Sequence, residues 1–320
     1  MKERILGCLK GIATGDAIGK QTEMLSRGDV ARWYPDGIRG FEGVPGAVIP
    51  RYAGNSKHEW VIGETTDDTE RTIAIARAIL QDGEVRHASV GRELLTCRKS
   101  VHPGVESLWE FHQSGDAARV TDDHDGCGAA IGVAPVGMLF RPAQFEQIVV
   151  GAREASMSTH GGPLALAASA ATAAAVAAAI DGAGADEIVD LARRAAARAE
   201  FERTGSMDAV FEHAVRAIHN DLCRWPEITA TNVAATYFPR DPLTIVPLAI
   251  ALATVMTSAQ SAILLAANIG GDSDSVASIA GGILGARFPD SVNEDWYCVV
   301  ETINDHRLGP LGDALSALRS

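Results

Sequence analysis

The chain has 320 residues, of which 47% are hydrophobic and 22% charged, an ordinary composition for a packed globular protein. Its formal net charge of -13 argues against electrostatic binding of nucleic acid, because phosphate contacts need clustered lysine and arginine. The five cysteines are scattered and contain no CxxC pair, which argues against a disulfide framework or a structural zinc site and favours a reducing, cytoplasmic compartment.

The spacing of apolar residues predicts helices through most of the chain. The first runs over 6–15, and the next over 69–80 with Gly83 as its stop. Between them, residues 33–62 are rich in proline and glycine, which predicts a long irregular segment. Its five aromatic residues favour an ordered loop, a candidate lid.

Further helices are predicted over 164–180, 186–199, 207–223, 244–267 and, as the last one, 274–285. Pro247 falls in the first turns of the fourth of these segments, where proline is tolerated. The alanine-dominated segment 164–180 is interpreted as too short and too weakly hydrophobic for a membrane span. Because no linker and no internal repeat is evident, we predict one all-α domain over residues 1–320.

Two short acidic segments, ETTDDT at 64–69 and GGDSDS at 270–275, share one design. Each places a hydroxyl and two carboxylates at the start of a predicted helix. For either segment alone, helix capping and a functional role explain this arrangement about equally well. Helix capping does not require two carboxylates and a hydroxyl at each of two helix starts. Adjacent carboxylates also repel each other unless a cation lies between them. An all-oxygen donor set suits Mg²⁺, Mn²⁺ or Ca²⁺ rather than zinc, so the pair predicts a two-metal site.

Three other features are less specific. Asp16 lies in the segment GDAIG on the otherwise apolar first helix, where a hydrogen-bonded helix-end residue is as good an interpretation as a site residue. The segment TDDHD at 121–125 is interpreted as a solvated turn, because no helix start follows it directly. Cys127 is interpreted as a packing residue.

The combination GDAIG followed by Glu23, then TTDDT and then GGDSDS, resembles the ADP-ribosylglycohydrolase family over residues 6–287. The resemblance implies an all-α orthogonal helical bundle that carries a binuclear centre of two Mg²⁺ or Mn²⁺ ions. It implies these metal ligands: Thr66, Asp67, Asp68, Asp272, Asp274 and Ser275.

The resemblance also assigns roles around the metals. It implies Asp67, Asp68, Asp274 and Glu23 as catalytic residues, and His160, Gly126, Gly128 and Asp16 as substrate contacts. One segment departs from the family pattern. Many members have Gly-Asn-Gly-Ala-x-Met-Arg where this chain has GCGAAIG at 126–132. A substrate without a diphosphate would also fit a loop that has lost this arginine.

The expected function is metal-dependent hydrolysis of an N- or O-glycosidic bond to ribose. The most direct form is removal of ADP-ribose from a modified small-molecule or protein acceptor, with no nucleic-acid or membrane partner. One alternative is a hydrolase of nucleosides or other small N-ribosides that uses the same metals. Another is a non-catalytic member that binds ADP-ribose. The acceptor, the linkage and the choice between Mg²⁺ and Mn²⁺ stay open.

Overall fold

The chain folds as a set of packed α-helices, as the apolar periodicity predicts. A computed structural model describes residues 1–55, 58–99, 113–114 and 124–319. Over these ranges no strand forms, and the only extended pairing is an isolated antiparallel bridge between Val48 and Val61. The helices are α1 (Lys2–Gly19), α2 (Arg27–Trp33), α3 (Asp67–Asp82), α4 (His87–Leu94), α5 (Gly128–Ile131), α6 (Ala134–Leu139), α7 (Phe145–Ser156), α8 (Pro163–Asp181), α9 (Ala185–Thr204), α10 (Val210–Arg224), α11 (Ala230–Thr236), α12 (Pro242–Val255), α13 (Ala259–Ala267), α14 (Ser273–Arg287), α15 (Glu294–Asn304) and α16 (Leu308–Leu318).

Most helix predictions are confirmed, and two are wrong. Helix α3 ends at Gly83, which adopts the left-handed conformation (φ 74°) expected of a C-terminal glycine. The segment 244–267 is two helices, because the side chain of Ser258 caps a new helix by accepting a hydrogen bond from the Ser261 N–H at 3.3 Å. Helix α14 is not the last helix, since α15 and α16 follow it, and Asn293 caps α15 through the Trp296 N–H.

Helices α1 and α14 pack in backbone contact. Glycine recurs at every fourth position of α1 and gives it a flat face towards α14. A Cβ atom on Gly11 would lie 2.0 Å from the carbonyl oxygen of Gly281, and one on Gly19 would lie 2.5 Å from Cα of Asp274. The two helices run antiparallel, so the C-terminal end of α1 meets the N-terminal end of α14. This contact joins the GDAIG and GGDSDS segments.

The alanine-rich helix α8 forms the centre of the core. Within the described ranges it is the one helix long and apolar enough to cross a membrane by length and composition, with a mean hydropathy of 1.8. The helix is longer and more apolar than residues 164–180 suggested, but one buried helix of this kind is also typical of a protein core. Its apolar character reflects packing inside the protein, where 89% of this segment is buried, chiefly against α9.

Candidate metal and substrate site

Asp16 fixes the first turn of α3. Its carboxylate, fully buried, accepts hydrogen bonds from the Thr66 N–H at 2.9 Å, the Thr69 N–H at 3.1 Å and the Thr69 hydroxyl at 2.6 Å. These donors include N–H groups that a helix start leaves without intrahelical partners. Both oxygens of Asp16 are thus directed at the TTDDT turn, so its place in the structure is that of an anchor for α3.

The same turn is braced from the C-terminal helices. The side chain of Asn304 accepts from the Thr65 N–H at 3.2 Å, and His306 Nε2 lies 2.8 Å from the Thr65 hydroxyl. Lys99 donates to the Thr65 carbonyl oxygen at 2.6 Å. Burial lowers the pKa of His306 to about 4, so this imidazole is neutral at physiological pH. Sequence reasoning missed these partners, because no local pattern links Thr65 to Lys99, 34 positions away, or to Asn304 and His306, some 240 positions away.

Two glycines shape the turn before α14. Gly270 and Gly271 have φ angles of 82° and 67°, which only glycine adopts freely. A Cβ atom on Gly270 would lie 2.4 Å from the Leu25 carbonyl oxygen, and the Asp272 N–H donates to the Pro239 carbonyl oxygen at 2.9 Å. A tight turn therefore precedes Asp272, and two separate loops hold it.

The start of α14 is tied to the end of α1. The buried hydroxyl of Ser273 donates to the Gly19 carbonyl oxygen at 2.9 Å and lies 3.0 Å from the Thr22 hydroxyl. The next residue, Asp274, is also buried, and Ser275 is buried beside it with its N–H 3.1 Å from Asp274 Oδ1. The predicted ligands of the GGDSDS motif thereby come close to residues 20–23.

The acidic residues of the three motifs converge on one electrostatic cluster. Burial raises the pKa of Asp68 well above its ordinary value, and the carboxylates of Asp16, Asp67, Asp272 and Glu23 raise it further. Burial likewise raises the pKa of Asp274, with Glu23, Asp272 and Asp68 adding to the effect. The pKa of Asp67 rises to about 6, again chiefly through burial. We call these six residues the carboxylate cluster.

The donor chemistry of the carboxylate cluster fits a hard divalent cation. Buried Oδ1 of Asp68 finds no hydrogen-bond partner within the described part of the chain, although a buried carboxylate oxygen normally has one. Thr66 and Ser275 add hydroxyl oxygens, so the set is all oxygen. Among the residues that the structure describes, no three Asp, Glu, His or Cys side chains are arranged to hold an ion. Two members of the cluster face other partners, since Asp16 binds α3 and Glu23 pairs with Lys20.

Two buried cations flank the carboxylate cluster, and sequence reasoning predicted neither. Lys20 pairs with Glu23; burial alone would lower the pKa of its ammonium, but Glu23 and Asp274 outweigh burial and raise it. Arg71, 3% exposed, donates through Nη2 to the Thr159 hydroxyl at 2.9 Å. Its charge opposes the effect of burial on the pKa of Asp67. Arg71 lies one helical turn after Asp67, which is the only sequence signal for it.

The predicted substrate contacts gather beside Arg71. His160 is fully buried, with Nδ1 2.8 Å from the Thr159 hydroxyl and its ring stacked on that of His124 at 4.6 Å between centroids. Gly128, the first residue of α5, faces this ring, since a Cβ atom there would lie 2.8 Å from His160 Cε1. Gly126 lies half-buried in the segment that leads into α5.

The segment TDDHD contributes to this side of the site only in part. Residues 121–123 lie outside the described residues. Asp125 accepts hydrogen bonds from the Leu164 and Ala165 N–H groups at 2.8 and 3.2 Å, so it caps the N-terminus of α8. Its role is therefore structural, but it is a helix cap rather than part of a solvated turn.

Cys127 reaches the carboxylate cluster. Its thiol donates to Asp272 Oδ2 at 3.3 Å. Burial raises the pKa of this thiol well above its ordinary value, and the charge of Asp272 raises it further. Cys127 packs against the hydrophobic core, as expected, and its thiol also contacts a predicted metal ligand.

The irregular segment after α2 closes against the same region. Arg51 donates to the backbone carbonyl oxygens of Lys20 at 3.1 Å, Gln21 at 3.3 Å and Glu23 at 2.5 Å. The hydroxyl of Tyr52 donates to Glu23 Oε2 at 3.4 Å. The ordered loop predicted from the aromatic residues is thus confirmed, and it rests on the turn that carries Lys20 and Glu23.

Within the described ranges the fold is helical and places acidic motifs at the ends of α1, α3 and α14, and the comparisons identify the family. The family model for ADP-ribosylglycohydrolase matches residues 1–320, so the chain belongs to the ADP-ribosylglycohydrolase family. It is 30% identical to the uncharacterised protein YegU of Escherichia coli over 306 residues, which cover 89% of this chain and 87% of that one.

Two further comparisons agree with this family. The chain is 26% identical over 170 residues to the ADP-ribosyl-[dinitrogen reductase] glycohydrolase of Rhodospirillum rubrum, covering 51% of this chain and 53% of that protein. The solved structure titled "ADP-ribosylglycohydrolase-related protein complex" superposes with a TM-score of 0.73 at 21% identity, covering 100% of this chain and 99% of that one. The second comparison shows that the fold is shared.

Proposed function

We propose that this protein is a metal-dependent hydrolase that cleaves a glycosidic bond to ribose and removes ADP-ribose from a modified small-molecule or protein acceptor. The observation that carries the proposal is the convergence of two acidic helix starts. Between these like charges lies a buried oxygen of Asp68 that has no hydrogen-bond partner among the described residues. The relative in Rhodospirillum rubrum, named for removing ADP-ribose from dinitrogen reductase, supports this substrate class. A cytoplasmic location, without a nucleic-acid or membrane partner, is part of the proposal.

The two helix starts would hold two Mg²⁺ or Mn²⁺ ions. The proposed ligands are Thr66, Asp67, Asp68, Asp272, Asp274 and Ser275. When bound, such ions supply Lewis acidity and lower the pKa of a coordinated water towards neutrality. The fixed turns favour this use, because Asp16 and Ser273 hold both helix starts in place without themselves being ligands.

The chain's own carboxylates would do the remaining chemistry. Asp67, Asp68 and Asp274 would accept the proton of an attacking water, as general bases do. Their negative charge, with that of Glu23, would stabilise an oxocarbenium-like transition state at the anomeric carbon.

The proposed substrate contacts lie beside Arg71. His160 and the backbone of Gly126 and Gly128 would contact the ribose or a phosphate, next to the guanidinium of Arg71.

A hydrolase of small N-ribosides is the second candidate. It is favoured by the segment GCGAAIG, in which Cys127 and Gly132 occupy the positions of asparagine and arginine in many family members. Gly132 packs on the stem of Arg71, where a Cβ atom would lie 2.8 Å from Arg71 Cβ, so this position cannot carry a long side chain without a shift. A substrate without a diphosphate would need less cationic recognition.

Release of ADP-ribose or ribose from a defined panel tests both candidates. The panel contains ADP-ribosyl-arginine, ADP-ribosyl-serine, poly(ADP-ribose) and several nucleosides, each with Mg²⁺, Mn²⁺ or EDTA. We expect metal-dependent release of ADP-ribose, lost in Asp68→Ala and Asp274→Ala but kept in Asp36→Ala, which changes an exposed aspartate. Ribose release from nucleosides alone would establish the second candidate, and unchanged rates in EDTA would contradict both.

A further inference from the structure

Lys20 places a buried positive charge beside the carboxylate cluster. The residue is 6% exposed, and its ammonium forms an ion pair with Glu23. The ammonium lies 4.2 Å from the ring centroid of Trp60 and 5.3 Å from that of Tyr52, so aromatic faces cover it. A buried ammonium is stable only where charge and dipoles compensate the loss of water. Here the compensating charges are those of Glu23 and Asp274.

The surrounding backbone holds Lys20 where it is. Arg51 spans the turn and binds the carbonyl oxygens of Lys20, Gln21 and Glu23, so its own charge is directed at the backbone of this turn. Gly19, immediately before Lys20, is in backbone contact with Asp274. The backbone that carries the ammonium is therefore held in a fixed position beside the cluster.

Charge balance indicates what this ammonium does. The six negative charges of the cluster would be balanced by two divalent ions together with the single charges of Lys20 and Arg71. Lys20 and Arg71 lie on different sides of the cluster. Lys20 covers Glu23 and Asp274, whereas Arg71 faces Asp67. The ammonium of Lys20 would repel a third divalent ion, and it would also repel either of the two ions if that ion lay closer to Glu23.

Resting on the proposed two-metal function, we infer that Lys20 is a built-in monovalent cation that occupies the Glu23–Asp274 side of the cluster and weakens divalent-ion binding there. Because its carboxylate pairs with Lys20, Glu23 does not coordinate a metal ion. Lys20 is a positioning residue: it sets the affinity of the neighbouring metal position and the orientation of Glu23, and it does not itself touch the reacting atoms.

Mn²⁺ binding measures this effect without any substrate. We would titrate Mn²⁺ into the metal-free protein by calorimetry and count unbound Mn²⁺ from its electron paramagnetic resonance signal. Lys20→Met, which removes the charge and keeps much of the length, should bind the weaker Mn²⁺ ion at least tenfold more tightly, or bind one additional ion. Lys20→Arg should bind Mn²⁺ like the wild type.

Lys10→Met is the matched control. Lys10 lies on α1, the helix that ends just before Lys20. It pairs with Glu294 at 2.7 Å and lies 4.4 Å from the ring centroid of Tyr297, away from the cluster. Its substitution removes the same charge from a similar setting and should leave the Mn²⁺ isotherm unchanged. If Lys20→Met does not fold, Lys20→Gln replaces it, because a neutral amide can still donate a hydrogen bond to Glu23.

The outcomes separate this inference from the proposed function. If the wild type binds Mn²⁺ and Lys20→Met binds it equally or more weakly, the inference is overturned while the metal site stands. If neither the wild type nor any Lys20 variant binds Mn²⁺, the inference and the proposed metal site are both overturned. Tighter binding in Lys20→Met but not in Lys10→Met supports the inference.

Discussion

Neutralising Asp67 should stabilise the metal-free protein at neutral pH. Burial raises the pKa of Asp67 from 3.8 to about 6, so its ionisation in the folded state costs about 3 kcal/mol, at 1.36 kcal/mol per pKa unit. Since the folded state binds this proton more tightly than the unfolded state, the cost is absent below pH 3.8, grows as the pH rises and is complete above about 6. Asp67→Asn keeps the shape and removes the charge. The variant should therefore gain up to about 3 kcal/mol at pH 7.5.

Thermal unfolding in EDTA at pH 4.5 and pH 7.5 measures this gain. For a chain of this length, about 3 kcal/mol corresponds to a rise in Tm of about 4 °C. The rise should appear in full at pH 7.5 and fall to about a third of that at pH 4.5, because about 1 kcal/mol of the cost is already present there. Asp36→Asn, at an exposed aspartate, should unfold like the wild type at both. Added Mg²⁺ should reverse the order, because it stabilises the wild type by binding and the variant has lost a ligand.

Two results would refute this reasoning. If Asp67→Asn unfolds at a lower temperature than the wild type in EDTA at pH 7.5, the carboxylate is stabilising and the cluster is not a site of unrelieved repulsion. If the gain is as large at pH 4.5 as at pH 7.5, its origin is not the charge. An equal response of variant and wild type to Mg²⁺ would remove Asp67 from the proposed ligands.

Three further changes test the scaffold around the site. Asp16→Ala removes the anchor of α3, so it should lower the free energy of unfolding by about 3 kcal/mol and weaken Mn²⁺ binding. A variant with the wild-type stability and Mn²⁺ affinity would exclude the anchoring role. Gly11→Ala should lower the free energy of unfolding in urea by about 3 kcal/mol or more, because its Cβ would lie 2.0 Å from a carbonyl oxygen. In the control Gly309→Ala the new Cβ would have no atom within 4 Å, so this free energy should change by less than about 1 kcal/mol. Cys127→Ala should weaken Mn²⁺ binding about threefold to tenfold by removing the donor to Asp272, and Cys127→Ser should restore it; equal affinities would show that the thiol contact is incidental.

Local pattern was enough to predict the helical class and the acidic motifs. The helical periodicity of the apolar residues and the glycine at position 83 predicted α3, because both act within a few turns of one helix. TTDDT and GGDSDS were recognisable for a similar reason: each places its carboxylates at the start of one helix, so the residues that act together are adjacent in the chain. The break at Ser258 was missed, since apolar residues continue on both sides of it and only the cap marks it.

Tertiary structure decided which groups surround those motifs. Lys20 and Arg71 are ordinary charged residues in the sequence, and only burial beside the carboxylates makes them part of the site. Cys127 meets Asp272 across 145 positions, a contact that no local pattern encodes. The antiparallel approach of α1 and α14, which glycine permits through backbone contact, is the step that brings the first and last motifs together. The sequence thus determined the chemical identity of the donors, whereas packing between distant helices determined which charges balance them.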